Sequence, residues 1–422
     1  MTHYNIKFII RNILRNKSLF TINILGLSIG IACALFIYLW VLDEYQVDKF
    51  LSNDNGPYEL IMHFHSNKDI STGFSTPCLL AENLNSEIPE IKYAAAVRRW
   101  NNITINYGQS PLKASGIFAG KQFFQIFDYK LIYGNSKMLL NDKSSIVISD
   151  VLAKKLFNNI GEGLIGKEIQ LQQNNLFKIS GVFQSPPKNA THQFDFVVPF
   201  EEFKSNNNWA FNWNYSTVST YVSLKNGVEL QLFNDKIKKY LNNKRDKDQL
   251  LTTLEARKFT DAYLYGEYDN GQVSGGRILY IRLFILAAIF ILIIACMNFM
   301  NLSTAIGAER AKEVSIKKII GESDGNLIIQ FLNESIAISI IALILALVIV
   351  VDLLPFFNDL TGKEIKWSFN ANTLGMALLV TLFTGLLAGS YPAFMLSRFK
   401  PKDILKGVSS LSSKDLSISK AI

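Results

Sequence analysis

Cysteine and histidine are scarce in this 422-residue chain, which has three of the first and four of the second. Each shortage closes off a class of chemistry. Cys33 and Cys296 fall inside long apolar runs, so Cys78 is alone in the polar part and no disulfide framework can form there. His63 and His65 alternate as an H-x-H pair without an identifiable third zinc ligand, while His192 stands alone and His3 sits at the N-terminus. No H-E-x-x-H or C-x-x-C occurs, and the two G-x-S-x-G matches, Gly26 to Gly30 and Gly321 to Gly325, lie inside an uncharged apolar run and in the basic segment before another, not at a strand-to-helix elbow. Metalloprotease and dithiol chemistry therefore lack their residues and acyl transfer lacks its elbow, and neither a catalytic site nor a metal site is expected.

Charge is missing too, from four apolar stretches. Residues 18–42, 283–308, 335–351 and 367–397 are uncharged runs of 25, 26, 17 and 31 residues. A helix rises about 1.5 Å per residue and a hydrocarbon core is about 30 Å thick, so about 20 apolar residues cross it. The third run is short only because Glu334 stands at its start, and residues 327–332 extend its apolar pattern. The expected fold is an integral membrane α-helical protein with four transmembrane helices, at 18–42, 277–304, 327–354 and 371–397. A large α+β extracytoplasmic domain, 43–276, is inserted between helices 1 and 2, and a short loop, 355–370, joins the last two.

The short loops orient the chain. Lys7, Arg11, Arg15 and Lys17 precede the first run; Arg310, Lys312, Lys317 and Lys318 follow the second; Arg398, Lys400, Lys402 and Lys406 follow the fourth. By the positive-inside rule these flanks and both termini are cytoplasmic. The flanks hold much of the base behind the net charge of +8, so nucleic acid is not an expected partner, whereas the lipid bilayer is. The first run is too long for a signal-peptide core, and Leu42-Asp43-Glu44 offers no small-residue cleavage site. Over residues 1–17, Ile6, Ile9, Ile10, Ile13 and Leu14 recur opposite Lys7, Arg11 and Arg15, predicting an amphipathic elbow in the inner leaflet. Residues 398–422 form a cytoplasmic tail.

Within the external domain, residues 145–156 read as a strand running into a short helix, 167–171 and 176–183 as strands joined by an Asn-rich turn, 218–224 as another strand, and 230–241 as a helix. Gly161 to Lys167 (GEGLIGK) fits the spacing of a phosphate-binding loop. Glu168 nevertheless stands where a Ser or Thr hydroxyl should hold magnesium, and a strand follows where a helix is needed. Ser274-Gly275-Gly276-Arg277 resembles part of an ABC ATPase signature but leads into an apolar run. No ATPase site is expected in this chain. The aromatic groups Phe123-Phe124, Phe127 and Trp209 to Trp213 are read as core residues.

The segment 305–326 differs from a plain basic loop. Glu309 to Gly321 contains good helix formers, a Glu313–Lys317 pair at i,i+4 and a terminal glycine, so it predicts a short charged helix. Val314, Ile316 and Ile319 are read as exposed apolar residues suited to docking. Gly26-x-x-x-Gly30 and Gly385-x-x-x-Gly389 offer small faces for close helix packing, within one unit or between two.

These residues resemble a family, the MacB/FtsX/LolC-type permeases of ABC transporters. Arg11-Asn12, Arg15-Asn16-Lys17, Ile22-Asn23 and Gly26-Leu27-Ser28-Ile29-Gly30 are similar to its elbow and first span. Ser149 to Phe157, Ile165-Gly166-Lys167 and Ile179 to Phe183 with Pro186-Pro187 resemble its MacB-like periplasmic core domain. The pattern E-R-x-x-E-V-x-x-x-K-x-x-G at Glu309 to Gly321 resembles its coupling helix, and Gly385 to Ala393 with Pro401 to Gly407 resembles its last span and tail. Lys317-Lys318 departs from the family's common Arg-Lys pair, which keeps charge but loses a planar donor fork.

The resemblance implies a bacterial inner-membrane permease subunit that is not itself an enzyme, with ATP and magnesium on a separate ABC ATPase dimer. It marks Glu309, Arg310, Glu313, Val314, Lys317, Lys318 and Gly321 as the ATPase-coupling interface. It implies export or extraction of hydrophobic peptides, macrolide-like compounds or lipoproteins. The further partners would be a second permease unit, as homodimer or tandem half, and a periplasmic adaptor with an outer-membrane channel. The alternatives are an FtsX-like regulator of a cell-wall hydrolase and a membrane-anchored extracytoplasmic sensor.

Overall fold

The computed structural model describes residues 17–51, 56–107, 110–172, 175–246, 250–305, 307–367 and 370–399. The expected elbow, except its last residue, and the tail beyond residue 399 lie outside the described residues. Two compact units divide the chain: Asp43–Tyr280, and the flanking stretches Met1–Leu42 with Ile281–Ile422.

Asp43–Tyr280 is built on strands β1 (Tyr58–His65), β2 (Ile70–Gly73), β3 (Thr76–Pro77), β4 (Ile91–Tyr107), β5 (Ser110–Ala119), β6 (Leu131–Gly134), β7 (Ser145–Ser149), β8 (Glu168–Leu171), β9 (Asn175–Phe183), β10 (Phe196–Pro199), β11 (Ser216–Leu224) and β12 (Leu251–Lys258), with a separate hairpin of β13 (Glu267–Asp269) and β14 (Gln272–Gly275). Nine strands form one path, β12-β1-β11-β4-β5-β10-β7-β9-β6; β2 joins at β1, β3 at β11, and β8 at β4 and β9. β10 runs parallel to β5 and β7 parallel to β9, while the other pairings are antiparallel, so the sheet is mixed.

Residue alternation shows why the sheet holds. Ile146 and Ile148 enter one apolar cluster and Val147 the other; Phe196 and Val198 enter the first and Val197 the second. Both faces are therefore covered, the situation in which strands read as continuous apolar runs instead of alternating ones. Ser149 ends β7 and caps the helix Asp150–Phe157 by accepting from Leu152 N at 3.1 Å, which fixes the strand-to-helix corner. The segment resembling a phosphate loop is a short 3-10 turn, Glu162–Leu164, leading into β8 and tied to β9: Gly166 N donates to Ile179 O (2.8 Å) and Ile179 N to Lys167 O (2.9 Å). Phe123, Phe124 and Phe127 are core residues.

Among the described residues, four helices are long and apolar enough to cross a membrane. They are α1 (Lys17–Gln46), α2 (Arg277–Ala305), α4 (Asp324–Thr361) and α5 (Ala371–Ser397), with the shorter α3 (Gly307–Ile319) between α2 and α4. Ser323 caps α4 by accepting from Asn326 N (3.3 Å), with Asp324 well placed against the helix N-terminus. At its far end α4 does not stop at residue 354; it runs through Pro355 to Thr361, so the first seven residues of the expected loop are helical. Proline costs that turn one backbone hydrogen bond. The end is held all the same: Asn358 donates from Nδ2 to Ile365 O (2.9 Å) and accepts from Ile365 N (3.0 Å), and Gly362 closes the helix in the left-handed region.

Candidate functional site at the third helix

α3 owes its form to local chemistry. Glu313 Oε1 lies 2.9 Å from Lys317 Nζ at i,i+4. At the C-terminus, Glu322 N reaches Lys317 O (3.0 Å) and Gly321 N reaches Lys318 O (3.0 Å), a Schellman closure that needs a left-handed residue. Gly321 supplies it with φ +103°, and since a Cβ there would meet nothing within 4 Å, conformation and not space asks for glycine.

One face of α3 is buried and ionic links tie it to α4. Val314 is 2% exposed and packs with Leu327 and Phe331 of α4 and with Ala393 and Leu396 of α5. This corrects the expectation that Val314 is free for docking, because its side of the helix is taken up inside the chain. Arg310 donates from Nη1 and Nη2 to the two carboxylate oxygens of Glu334, at 2.9 and 2.6 Å. Lys317 Nζ also donates to Gln330 Oε1 (3.0 Å), and Lys318 Nζ lies 2.6 Å from Asp324 Oδ1. Four of the expected coupling residues, Arg310, Glu313, Lys317 and Lys318, thus find partners within the chain. Glu309 lies in the helix. Exposed instead are Lys312, Ile316, Ile319 and Ile320, at i, i+4, i+7 and i+8. The last three are 59%, 66% and 80% exposed.

Asp324 was not singled out from sequence, and Gln330 and Glu334 were given no role in the site there. A signal existed for Glu334: it shares a helical face with Leu327 and Phe331, and an acid on a buried face needs a partner. Beside the Arg310–Glu334 pair lies a cavity of about 30 Å³, lined also by Asn23, Phe299 and Ser303. The Asn23 Oδ1 is buried with no partner in the chain. That volume accommodates about two waters, and the polar lining suits them.

The four packing glycines all sit against helices of this same chain. A Cβ on Gly26 would lie 2.9 Å from Asn298 Nδ2 and one on Gly30 2.6 Å from Ala295 Cβ, both on α2. On Gly385 it would lie 2.8 Å from Ser339 Oγ, and on Gly389 2.5 Å from Ser335 Oγ, both on α4. Ser335 and Ser339 turn their hydroxyls back to Phe331 O (3.0 Å) and Ser335 O (2.9 Å), so small, satisfied side chains face each glycine. The sequence reading gave neither serine a packing role.

Histidines serve as hydrogen-bonding groups in the Asp43–Tyr280 unit. His63 Nε2 lies 2.7 Å from Glu255 Oε2 and its Nδ1 2.9 Å from Thr72 Oγ1; His65 Nε2 lies 2.9 Å from Thr253 Oγ1. Among the described residues no group of three or more His, Cys, Asp or Glu side chains is placed to hold a metal ion.

Two family profiles match the chain. The MacB-like periplasmic core domain covers residues 20–240, and the FtsX-like permease C-terminal part covers residues 285–401. Among curated relatives, the macrolide export ATP-binding/permease protein MacB of Bdellovibrio bacteriovorus is 26% identical over 62% of this chain and 38% of its own length. The protein of the same name from Salmonella choleraesuis is 24% identical over 76% and 46%, and that from Campylobacter jejuni 24% over 74% and 47%. The chain thus spans less than half the length of these relatives. Among solved structures, a permease-protein domain from Porphyromonas gingivalis aligns with 55% of this chain and 100% of its own, at TM-score 0.43 and 17% identity. The periplasmic region of MacB from Actinobacillus actinomycetemcomitans aligns over 46% and 87%, at TM-score 0.34 and 14% identity. With one profile spanning more than half its length and the second following in order, the chain belongs to the MacB/FtsX-type permease family.

Proposed function

We propose that the chain is the permease part of an ABC-type complex in the bacterial inner membrane, with its MacB-like domain outside and both termini in the cytoplasm. The 30 residues of α1 rise about 45 Å and the 38 of α4 about 57 Å, against a hydrocarbon core of about 30 Å. Each crosses with length to spare. The basic flanks set the orientation. A separate ATPase dimer binds ATP and magnesium, and α3 transmits its closure through α4 to the external domain; the permease unit pairs with a second one. The names of the curated relatives favour an export role, with hydrophobic peptides, macrolide-like compounds or lipoproteins as the substrate classes.

The observation that carries this reading is the apolar end of α3. Ile316, Ile319 and Ile320 stand exposed on a short helix that is braced on its other side by the Arg310–Glu334 and Lys318–Asp324 pairs. An exposed apolar stripe on a rigid mount suits docking into a groove of a partner protein. The test is co-purification of the tagged chain from gently solubilised native membranes, comparing wild type with Ile316→Asp/Ile319→Asp and with Glu313→Lys. An ABC ATPase should accompany the wild type and be lost from both variants. Equal recovery of the ATPase with all three proteins would sink the proposal.

A further inference from the structure

The external sheet contains a place where two neighbouring strands part. β4 and β11 pair as far as Val97 and Ser219. Beyond that point β4 continues against β5, with Arg98 opposite Phe118 and Arg99 opposite Ile117, while β11 turns to β3, with Val218 opposite Thr76. A cleft of about 290 Å³ lies at the divergence.

Its lining is divided by chemistry. Ile117, Phe123 and Phe194 form an apolar floor, each 5% exposed or less and locked into the aromatic core. Arg99, His192 and Thr217 are among the polar wall. No carboxylate lines the cleft among the described residues. Arg98 is already committed: its Nη1 donates to Thr217 O (3.1 Å) and its guanidinium lies over the Phe203 ring at 4.8 Å. Arg99 is held differently, since its Nη2 donates to His192 Nδ1 at 3.0 Å. A guanidinium only donates, so Nδ1 must be the unprotonated nitrogen, and Nε2–H then donates to the Tyr221 hydroxyl at 2.9 Å. The imidazole stays neutral and acts as a strut that aims Arg99.

The geometry points to this cleft as a binding site for a carboxylate carried on a small apolar group, with Arg99 as its anchor. The planar fork of arginine matches a carboxylate through two parallel hydrogen bonds. A single guanidinium, bonded to a neutral imidazole and with no carboxylate in the cleft lining, balances a single negative charge, and the aromatic floor takes the apolar part. The volume falls just below the ~300–1,000 Å³ of sites for drug-sized ligands, which limits the occupant to one such group. Two sources share this chemistry: a free organic acid and the C-terminus of a peptide with an apolar last residue. The site stands on the external unit alone and does not depend on an ATPase partner.

Calorimetric titration of the full-length chain in nanodiscs, without any ATPase, tests this. The probes are hexanoate, N-acetyl-Ala-Ala-Phe with a free carboxylate, and the same peptide as its C-terminal amide. At least one carboxylate should bind saturably, and the amide at least ten-fold more weakly than the acid. Arg99→Gln should weaken the preferred carboxylate about ten-fold or more. Ser75→Trp, at an exposed rim position of the cleft, should block it without touching the anchor, which guards against a folding fault in the arginine variant. A ten-fold preference for the peptide assigns a peptide terminus; equal or tighter binding of hexanoate assigns a free acid. No saturable binding up to about 10 mM, or equal affinity for acid and amide, would overturn the assignment.

Discussion

Arg310 faces Glu334 with two nitrogens against two oxygens, at 2.9 and 2.6 Å, and the two side chains are only 15% and 6% exposed. Such a pair is asymmetric in its energetics. Removing one partner strands a charge out of water and typically costs about 3–5 kcal/mol, whereas replacing both with apolar groups of similar size is often neutral. Arg310→Ala and Glu334→Ala are each expected to lower the unfolding temperature of the detergent-solubilised protein by several degrees, and Arg310→Met/Glu334→Leu to recover most of the loss. If the single variants melt like the wild type, the pair does not fasten α3 to α4.

The glycine contacts give a second prediction. At Gly389 and Gly385, added carbons would fall on Ser335 and Ser339. Gly389→Val should cost about 1–3 kcal/mol through overpacking, and Ser335→Gly in the same chain should restore part of it by making room. Melting curves of the single and double variants measure this coupling. Strict additivity would show that α4 and α5 do not pack at this point.

Much of this architecture could be read in advance, for physical reasons that differ by element. The four long helices were visible because charge is excluded from them, and β7 with its following helix because Ser149 and Asp150 make a local start signal that needs no distant partner. β4 is different. Its 17 residues include Ala94, Ala95 and Ala96, which carry little strand preference, and what makes them a strand is pairing with Val222, Tyr221 and Thr220 of β11, far away in sequence. The same holds at the candidate site. The existence and end of α3 follow from Glu313, Lys317 and Gly321, which act locally. Which face it buries was decided by Phe331 and Leu396 on two other helices, so Val314 was misplaced while Ile316 and Ile319 were not.

Those two isoleucines separate stability from association. At 59% and 66% exposure their replacement removes little buried surface, and surface substitutions of this kind usually change stability by no more than about 0.5 kcal/mol. Ile316→Asp/Ile319→Asp should therefore melt within about a degree or two of the wild type while losing the ATPase. A large drop in melting temperature would mean that the stripe is needed by the fold itself.

His192 is expected to make the Asp43–Tyr280 unit sensitive to acid. Burial, and after it the positive charge of Arg99, lower its pKa from 6.5 to about 4. Between those values the unfolded chain holds a proton at this residue that the folded chain does not, so the unfolded state binds more protons and stability rises with pH. Its contribution is fully present above about pH 6.5, declines as pH falls towards 4 and is lost below that. Protonation would also set an imidazolium against the Arg99 guanidinium, now 3.0 Å from Nδ1, and remove the acceptor that aims it. His192→Gln keeps a polar side chain without a titrating group, so its unfolding midpoint should change less between pH 7 and pH 4 than that of the wild type. Denaturant titrations followed by tryptophan fluorescence at pH 4, 5, 6 and 7 make the comparison. Parallel pH profiles for the two proteins would remove His192 as the source of the acid sensitivity, whatever other groups contribute to the slope.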